Sequence, residues 1–236
     1  MLNQRYNYPT CSRETVEGSR VYLTPTGERL PSVTTILSAT TPKEKLQALS
    51  NWRRSIGEQR AQAITTEAAS RGTRMHTYLE QYIKGVELKE SVSNPYAQQS
   101  LIMAKTVIKQ GLQNISEVWG NEVPLYYPGL YAGTTDSVGL HFGKPSILDF
   151  KQTNKPKREE YIDDYYLQLT AYALAHNAMF GTTIRRGVIM MCVKPEELSA
   201  NSWSNPVYQE FVLEEDQFDV WVNRWWDRVE AYYAKR

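Results

Sequence analysis

Two aspartates and a lysine in this sequence have the types and spacing to hydrolyse a phosphodiester. Asp149-Phe150-Lys151 places a carboxylate and an ammonium two residues apart, in a segment from Ser146 to Thr153 that reads as a strand. Strand side chains alternate between faces, so Asp149 and Lys151 share one face while Leu148 and Phe150 take the other. Asp136 stands on the preceding strand, in Gly133-Thr134-Thr135-Asp136. Pairing of the two strands through the short Gly139 to Pro145 connection would bring both aspartates to one spot. Two hard oxygen donors suit magnesium or manganese, which keep several waters and reach phosphate through the rest. A metal held there polarises the phosphate and lowers the pKa of a bound water. Lys151 would orient that water and offset charge developing on the phosphorane. Taken alone, the triplet is also what a cross-strand Asp–Lys pair on a solvated sheet looks like.

Flanking residues add to the triplet. His76 and Glu80 stand four apart on one helix face beside a Met75, Leu79 and Ile83 stripe, and the histidine is placed to bind or orient a metal. Glu122, on the strand before Asp136, is a further acidic ligand candidate. Downstream, Gln168 and Tyr172 share a helix face, with Tyr165 one turn earlier, so their polar tips can meet the lysine, a phosphate or a base.

The elements that must position these groups follow from periodicity. Arg20 to Thr24, a Pro25-Thr26-Gly27 turn and Glu28 to Leu30 read as a small hairpin. Lys43 to about Gly85 is helical, with Leu46, Leu49, Trp52 and Ile56 at helical spacing and Gly57 and Gly72 as expected breaks. Tyr96 to Ile115 is another helix. Val118 to Tyr127, Tyr131 to Phe142 and Ser146 to Thr153 read as three strands, and Tyr161 to Phe180 as a helix. Gly187 to Val193 is almost wholly apolar, as a central strand covered on both faces would be. Val207 to Leu213 is a further strand and Asp216 to Ala234 a closing helix. This order predicts an α/β fold, a central mixed β-sheet flanked by helices, preceded by an N-terminal helical region. A single domain over 1–236 is expected: a helical region at about 31–117, a catalytic core at about 118–194 and a closing strand and helix at 195–236.

Composition sets bounds. Hydrophobic residues make up 41% and charged residues 22%, ordinary for a globular protein, and no apolar run is long enough to span a membrane. The polar, tyrosine-rich start lacks the apolar core of a signal peptide, so an intracellular, cytoplasmic protein is expected. Two cysteines, Cys11 and Cys192, are too few for a disulfide scaffold, a cysteine zinc cage or a four-cysteine iron–sulfur site. A net charge of +1 gives a weak global field, so nucleic acid would have to be met by local basic patches. Such patches exist: Arg53, Arg54 and Arg60 with Arg71 and Arg74 in the helical region, and Lys155, Lys157 and Arg158 after the candidate catalytic strand. Ser32, Thr34 and Thr35 can donate to phosphate oxygens. Tyrosines such as Tyr165, or Trp52, can stack bases.

The order H-x-x-x-E, acidic strand, G-T-x-D, D-F-K and Q-x-x-x-Y resembles the RecB-like branch of the PD-(D/E)XK nuclease superfamily. Pro31-Ser32-Val33-Thr34-Thr35-Ile36-Leu37, then R-G-T-x-x-H, is similar to a narrower group, the mitochondrial genome maintenance and related phage-type exonucleases. The resemblance spans roughly Leu30 to Val193. It implies Asp136 and Asp149 as metal ligands, with His76, Glu122 and the Phe150 backbone carbonyl assisting, and Lys151, Gln168 and Tyr172 as catalytic partners. It further implies a Mg2+ cofactor replaceable by Mn2+, no iron–sulfur cluster, and DNA as partner, single-stranded or with free ends. The group points to a phage or bacterial cell and to replication, repair or recombination. Thr135 stands where the superfamily name expects proline. Three other readings compete: a nuclease for duplex ends or junctions, a non-catalytic DNA-binding protein on the same fold, and a small-phosphoester hydrolase, which lacks its expected histidine cluster.

Overall fold

A computed structural model describes residues 2–16, 18–199 and 202–235. The terminal positions of the 1–236 domain reading, Met1 and Arg236, lie outside the described residues.

The chain opens with a three-stranded antiparallel sheet, β1 (Ser12–Val16), β2 (Ser19–Leu23) and β3 (Arg29–Pro31). Helices α1 (Val33–Ala39), α2 (Lys43–Ile56), α3 (Glu58–Ile83) and α4 (Pro95–Gln110) follow. The main sheet contains β4 (Ile115–Tyr127), β5 (Tyr131–His141), β6 (Lys144–Thr153), β7 (Gly187–Val193) and β10 (Val207–Leu213), in the order β10-β7-β6-β5-β4. Helix α5 (Asp163–Phe180) carries the chain from β6 to its parallel neighbour β7, and α6 (Phe218–Tyr233) closes it. A small hairpin, β8 (Glu197–Ser199) and β9 (Ser202–Trp203), lies between β7 and β10. The fold is therefore α/β, with a mixed five-stranded sheet flanked by helices on both faces.

Alternation divides the core into two layers. Ile147, Ile189 and Met191 pack with α1, α5 and α6 residues such as Ile36, Leu169 and Trp225. Leu148, Phe150, Val188 and Met190 face the other way, onto Met75 and Leu79 of α3 and Met103 and Val107 of α4. Every residue of β7 is buried, which explains its unbroken apolar run.

Local signals set most boundaries. Ser32 caps α1, its hydroxyl accepting from the Thr35 N–H at 2.9 Å. Asn94 caps α4 in the same way, with proline in the first turn. Gly57 at φ +87° ends α2, as expected. Gly72 does not break the helix: α3 runs through it, and the Gln152 side chain packs beside it, 3.5 Å from where a Cβ would stand. Helix α4 stops at Gly111 rather than near Ile115, and a 3-10 turn over Leu112–Asn114 leads into β4; a Cβ at Gly111 would sit 2.5 Å from the Tyr208 hydroxyl. The α2 stripe forms as a helix face but is not buried, leaving Leu46 and Leu49 51% and 48% exposed. Among the described residues no helix is long and apolar enough to cross a membrane.

Candidate active site

The site lies where the sheet forks. β5 and β6 are paired from His141↔Lys144 up to Ser137↔Leu148, and the ladder ends there. Beyond it β5 stays with β4 and β6 stays with β7. Asp136 and Asp149 are the first residues past the last pair, so they face each other across the opening. Splaying frees the Phe150 N–H and C=O, which need new partners because buried main-chain groups rarely stay unpaired. Asp136 Oδ2 accepts from the Phe150 N–H at 2.6 Å, and His76 Nε2 lies 2.8 Å from the Phe150 carbonyl oxygen. His76 Nδ1 lies 3.3 Å from Asp136 Oδ1, so the imidazole bridges the aspartate and the main chain of the next strand.

Asp149 and Lys151 share a face, as their spacing requires, and form an ion pair. Asp149 is nearly fully buried, and its Oδ2 makes no hydrogen bond of good geometry. The Lys151 ammonium also stands 5.2 Å over the Tyr165 ring. On α5, the Gln168 amide donates to the Tyr172 hydroxyl at 3.4 Å. Gly133 is required by this packing, since a Cβ there would lie 2.7 Å from the Tyr172 ring.

Charge within the site is strongly coupled. Burial pulls the His76 imidazole down, but the Asp136 carboxylate against it outweighs burial and pushes it up to about 9. Burial acts to raise Asp136, yet His76, Lys151 and the Phe150 N–H hold it below the usual carboxylate range. For Asp149, burial prevails over Lys151, and with the nearby Asp136 charge it pushes the carboxyl up to about 6. Burial disfavours the Lys151 ammonium, but Asp149 and Asp136 keep it above its ordinary value. These shifts favour an ionised Asp136, a charged Lys151 and a protonated His76 ring. An imidazolium donates from both nitrogens, which matches the two acceptors that His76 touches, and to ligate a cation the ring would give up the proton on the coordinating nitrogen.

One donor set can hold a cation: atoms of His76, Glu122 and Asp136 lie within 4.8 Å of one another. Among the described residues Asp149 belongs to no such set. Glu122 adopts φ +54°, a left-handed conformation unfavourable for a residue with a side chain. It lies between the pairs Asn121↔Ser137 and Val123↔Thr135, and so opposite Asp136. Its side chain keeps an exposed edge, yet lost solvation on the inner side and the Asp136 charge push its carboxyl up to about 7. A strained acid beside a second acid and a histidine fits a divalent cation, whose charge would relieve the repulsion.

A cavity of about 450 Å³ gathers Asp136, Asp149, Lys151, His76, Glu122, Gln168 and Tyr172, with Ser32 and Thr34 at its wall. A larger cavity of about 680 Å³, beside Lys194 and Trp203, holds none of the expected site residues. The expected DNA contacts are spread more widely. The Ser32 hydroxyl is committed to the α1 cap, and the Thr35 hydroxyl donates to the Arg20 carbonyl at 2.9 Å. Arg53 pairs with Glu58, Arg54 bonds Asn51, and Arg74 reaches the Ser100 hydroxyl. Arg53, Arg54, Arg74, Lys155, Lys157 and Tyr165 do not line this cavity. Arg71 requires correction as a strand contact: it is 1% exposed and bonds Gln152, Glu67 and Asn154, so it ties α3 to β6 from inside.

Among the residues of the cavity wall that sequence reasoning missed are Arg13, Arg20 and Tyr22. The alternation of Arg13 and Thr15 with Arg20 and Tyr22 around Glu17-Gly18 is a hairpin signal that would have extended the N-terminal sheet upstream.

No family model matches this chain. It is similar to mitochondrial genome maintenance exonuclease 1 of Mus musculus, with 29% identity over 217 residues, 88% of this chain and 60% of that protein. The Homo sapiens protein of the same name is 26% identical over 218 residues, 88% of this chain and 59% of its own length. That of Xenopus tropicalis is 26% identical over 217 residues, 88% and 58%. The chain thus spans about 60% of the length of the curated relatives it matches. A solved structure, SSO0001, aligns at 12% identity and a TM-score of 0.26, over 64% of this chain and 82% of that one, and carries no argument.

Proposed function

We propose that this protein is a metal-dependent deoxyribonuclease of the PD-(D/E)XK type, acting as an exonuclease on single-stranded ends in replication, repair or recombination. The observation that carries the reading is the fork between β5 and β6, where Asp136, Asp149, Lys151 and His76 converge around the Phe150 main chain. Similarity to proteins named as exonucleases over most of the chain supports the choice of substrate.

His76, Glu122 and Asp136 would hold Mg2+ or Mn2+, with Asp149 and the Phe150 carbonyl beside them, and the ion would supply Lewis-acid activation of phosphate and water. Asp136 fixes the strand edge through the Phe150 N–H, so the carbonyl of the same residue stays aimed at the site. Lys151, kept charged by Asp149, orients the attacking water and meets negative charge as the phosphorane forms. Tyr172 and Gln168 close the inner wall and shield the ion pair from bulk water. The helical region, with Arg53 and Arg54 on the exposed α2, would guide a strand towards the cavity.

The test uses oligonucleotides labelled at the 5′ or 3′ end, linear or circular, with magnesium. Stepwise shortening of linear strands and an intact circle are expected. Cutting of the circle would remove the exonuclease reading and keep the nuclease one. No cutting of any DNA would remove both.

A further inference from the structure

The N-terminal sheet separates its charges by face. Register pairs Arg13 with Tyr22 and Thr15 with Arg20, which puts all four on one side of the β1–β2 hairpin. On the other side Glu14 is neutralised by Arg29 at 3.6 Å. The first side has no such acid: among the described residues, neither the Arg13 nor the Arg20 guanidinium has a side-chain partner, and both are exposed. Tyr22 is buried and its hydroxyl lies 3.2 Å from Thr134 Oγ1, which docks this face against β5 two residues before Asp136. The Arg20 carbonyl accepts from the Ser32 N–H at 3.0 Å and from the Thr35 hydroxyl at 2.9 Å, so the backbone under that arginine is fixed.

Arg13 and Arg20 both line the cavity that holds Glu122, Asp136, Asp149 and Lys151. Arg20 and Thr34 also line an adjoining groove of about 530 Å³ that runs past Ser38 to Lys235. Arg20 therefore stands between two neighbouring spaces, one holding the acids and lysine, the other bearing hydroxyls and an ammonium. Unpaired guanidiniums bind phosphate through paired donors in a planar fork.

We infer that Arg13 and Arg20 form a phosphate clamp that holds the substrate strand beside the scissile bond and directs it into the Thr34–Lys235 groove. The inference rests on the nuclease reading above. The phosphate is either a terminal monoester or an internal diester, and the two guanidiniums recognise the oxyanion common to both.

The experiment measures binding of single-stranded oligonucleotides by fluorescence anisotropy, with Ca2+ in place of Mg2+. The strands carry a phosphate at the 5′ end, at the 3′ end or at neither. Arg13→Ala and Arg20→Ala are each expected to weaken binding roughly tenfold, the lower end for a charged hydrogen bond. The double variant should flatten the salt dependence by about 0.7 to 1 in slope. Lys109→Ala removes one exposed charge outside both cavities and should bind as wild type. Arg20→Lys, which keeps charge and loses the fork, should fall between, and melting temperatures should not move. A loss confined to end-phosphorylated strands assigns the clamp to a terminal monoester, and an equal loss on all strands assigns it to a diester. Arginine variants that bind like Lys109→Ala would overturn the clamp while the nuclease reading stands. A wild-type protein that binds no DNA would overturn both.

Discussion

Replacing Arg71 separates two roles that a basic residue on a helix can have. The guanidinium is 1% exposed and donates to Gln152 Oε1 at 2.9 Å, to Glu67 Oε1 at 2.8 Å and to Asn154. Arg71→Met keeps most of the volume and deletes these bonds, leaving the Gln152 and Asn154 oxygens without their donor. Bonds to a charged donor each contribute about 1.5–3 kcal/mol, and burial of the charge offsets part of that. Glu67 keeps Lys194 as a partner at 2.9 Å, so it adds little to the loss. A net cost of about 3 kcal/mol follows, or a fall of roughly 6–12 °C in melting temperature for a chain of this size. Urea denaturation followed by tryptophan fluorescence measures it. A variant as stable as wild type, with binding of DNA weakened instead, would refute the structural role.

Other perturbations test the remaining parts. Glu122→Gly relieves the φ +54° conformation and should raise stability by about 0.5–1 kcal/mol while weakening divalent cation affinity, read by isothermal calorimetry. His176 is fully buried between Tyr8 and Thr182, and burial pulls its imidazole down to about 4. Because the unfolded chain then binds the proton more readily, stability is intact above pH 6.5 and is lost as pH falls towards 4. The His176 share of that loss is about 3 kcal/mol and should vanish in His176→Gln, measured by denaturation at several pH values. Gly133→Ala drives a methyl into Tyr172 and should cost about 1–3 kcal/mol with a loss of activity, while Gly129→Ala, at φ +74° in open space, should leave activity unchanged.

Most of the framework was legible because its signals are local. Period-two alternation placed Asp149 and Lys151 on one face, the unbroken apolar run marked β7 as central, and the crossover helix α5 followed from the order of elements. What was hidden depends on long-range geometry. The fork at Asp136 exists because β5 and β6 leave each other for different neighbours, which no spacing along the chain announces. Arg71 reads as a solvated helix residue because its partners Gln152 and Asn154 lie 81 and 83 positions away. Gly72 reads as a break because the Gln152 side chain that packs beside it is equally distant in sequence. The α2 stripe was correct as a helix signal and misleading as a burial signal, since nothing described covers Leu46 or Leu49.

The central claim is that the fork between β5 and β6 is a cation-dependent phosphodiesterase centre. It is tested most directly by the rate of nucleotide release from a linear single strand, with magnesium and with EDTA, for wild type and Asp136→Asn. The asparagine keeps the size of the side chain and removes the charge that faces His76 and Glu122. The account predicts release that needs the metal and falls about 1000-fold or more in the variant, a barrier increase of about 4 kcal/mol. Release that persists in EDTA, or an Asp136→Asn protein as fast as wild type, would contradict it.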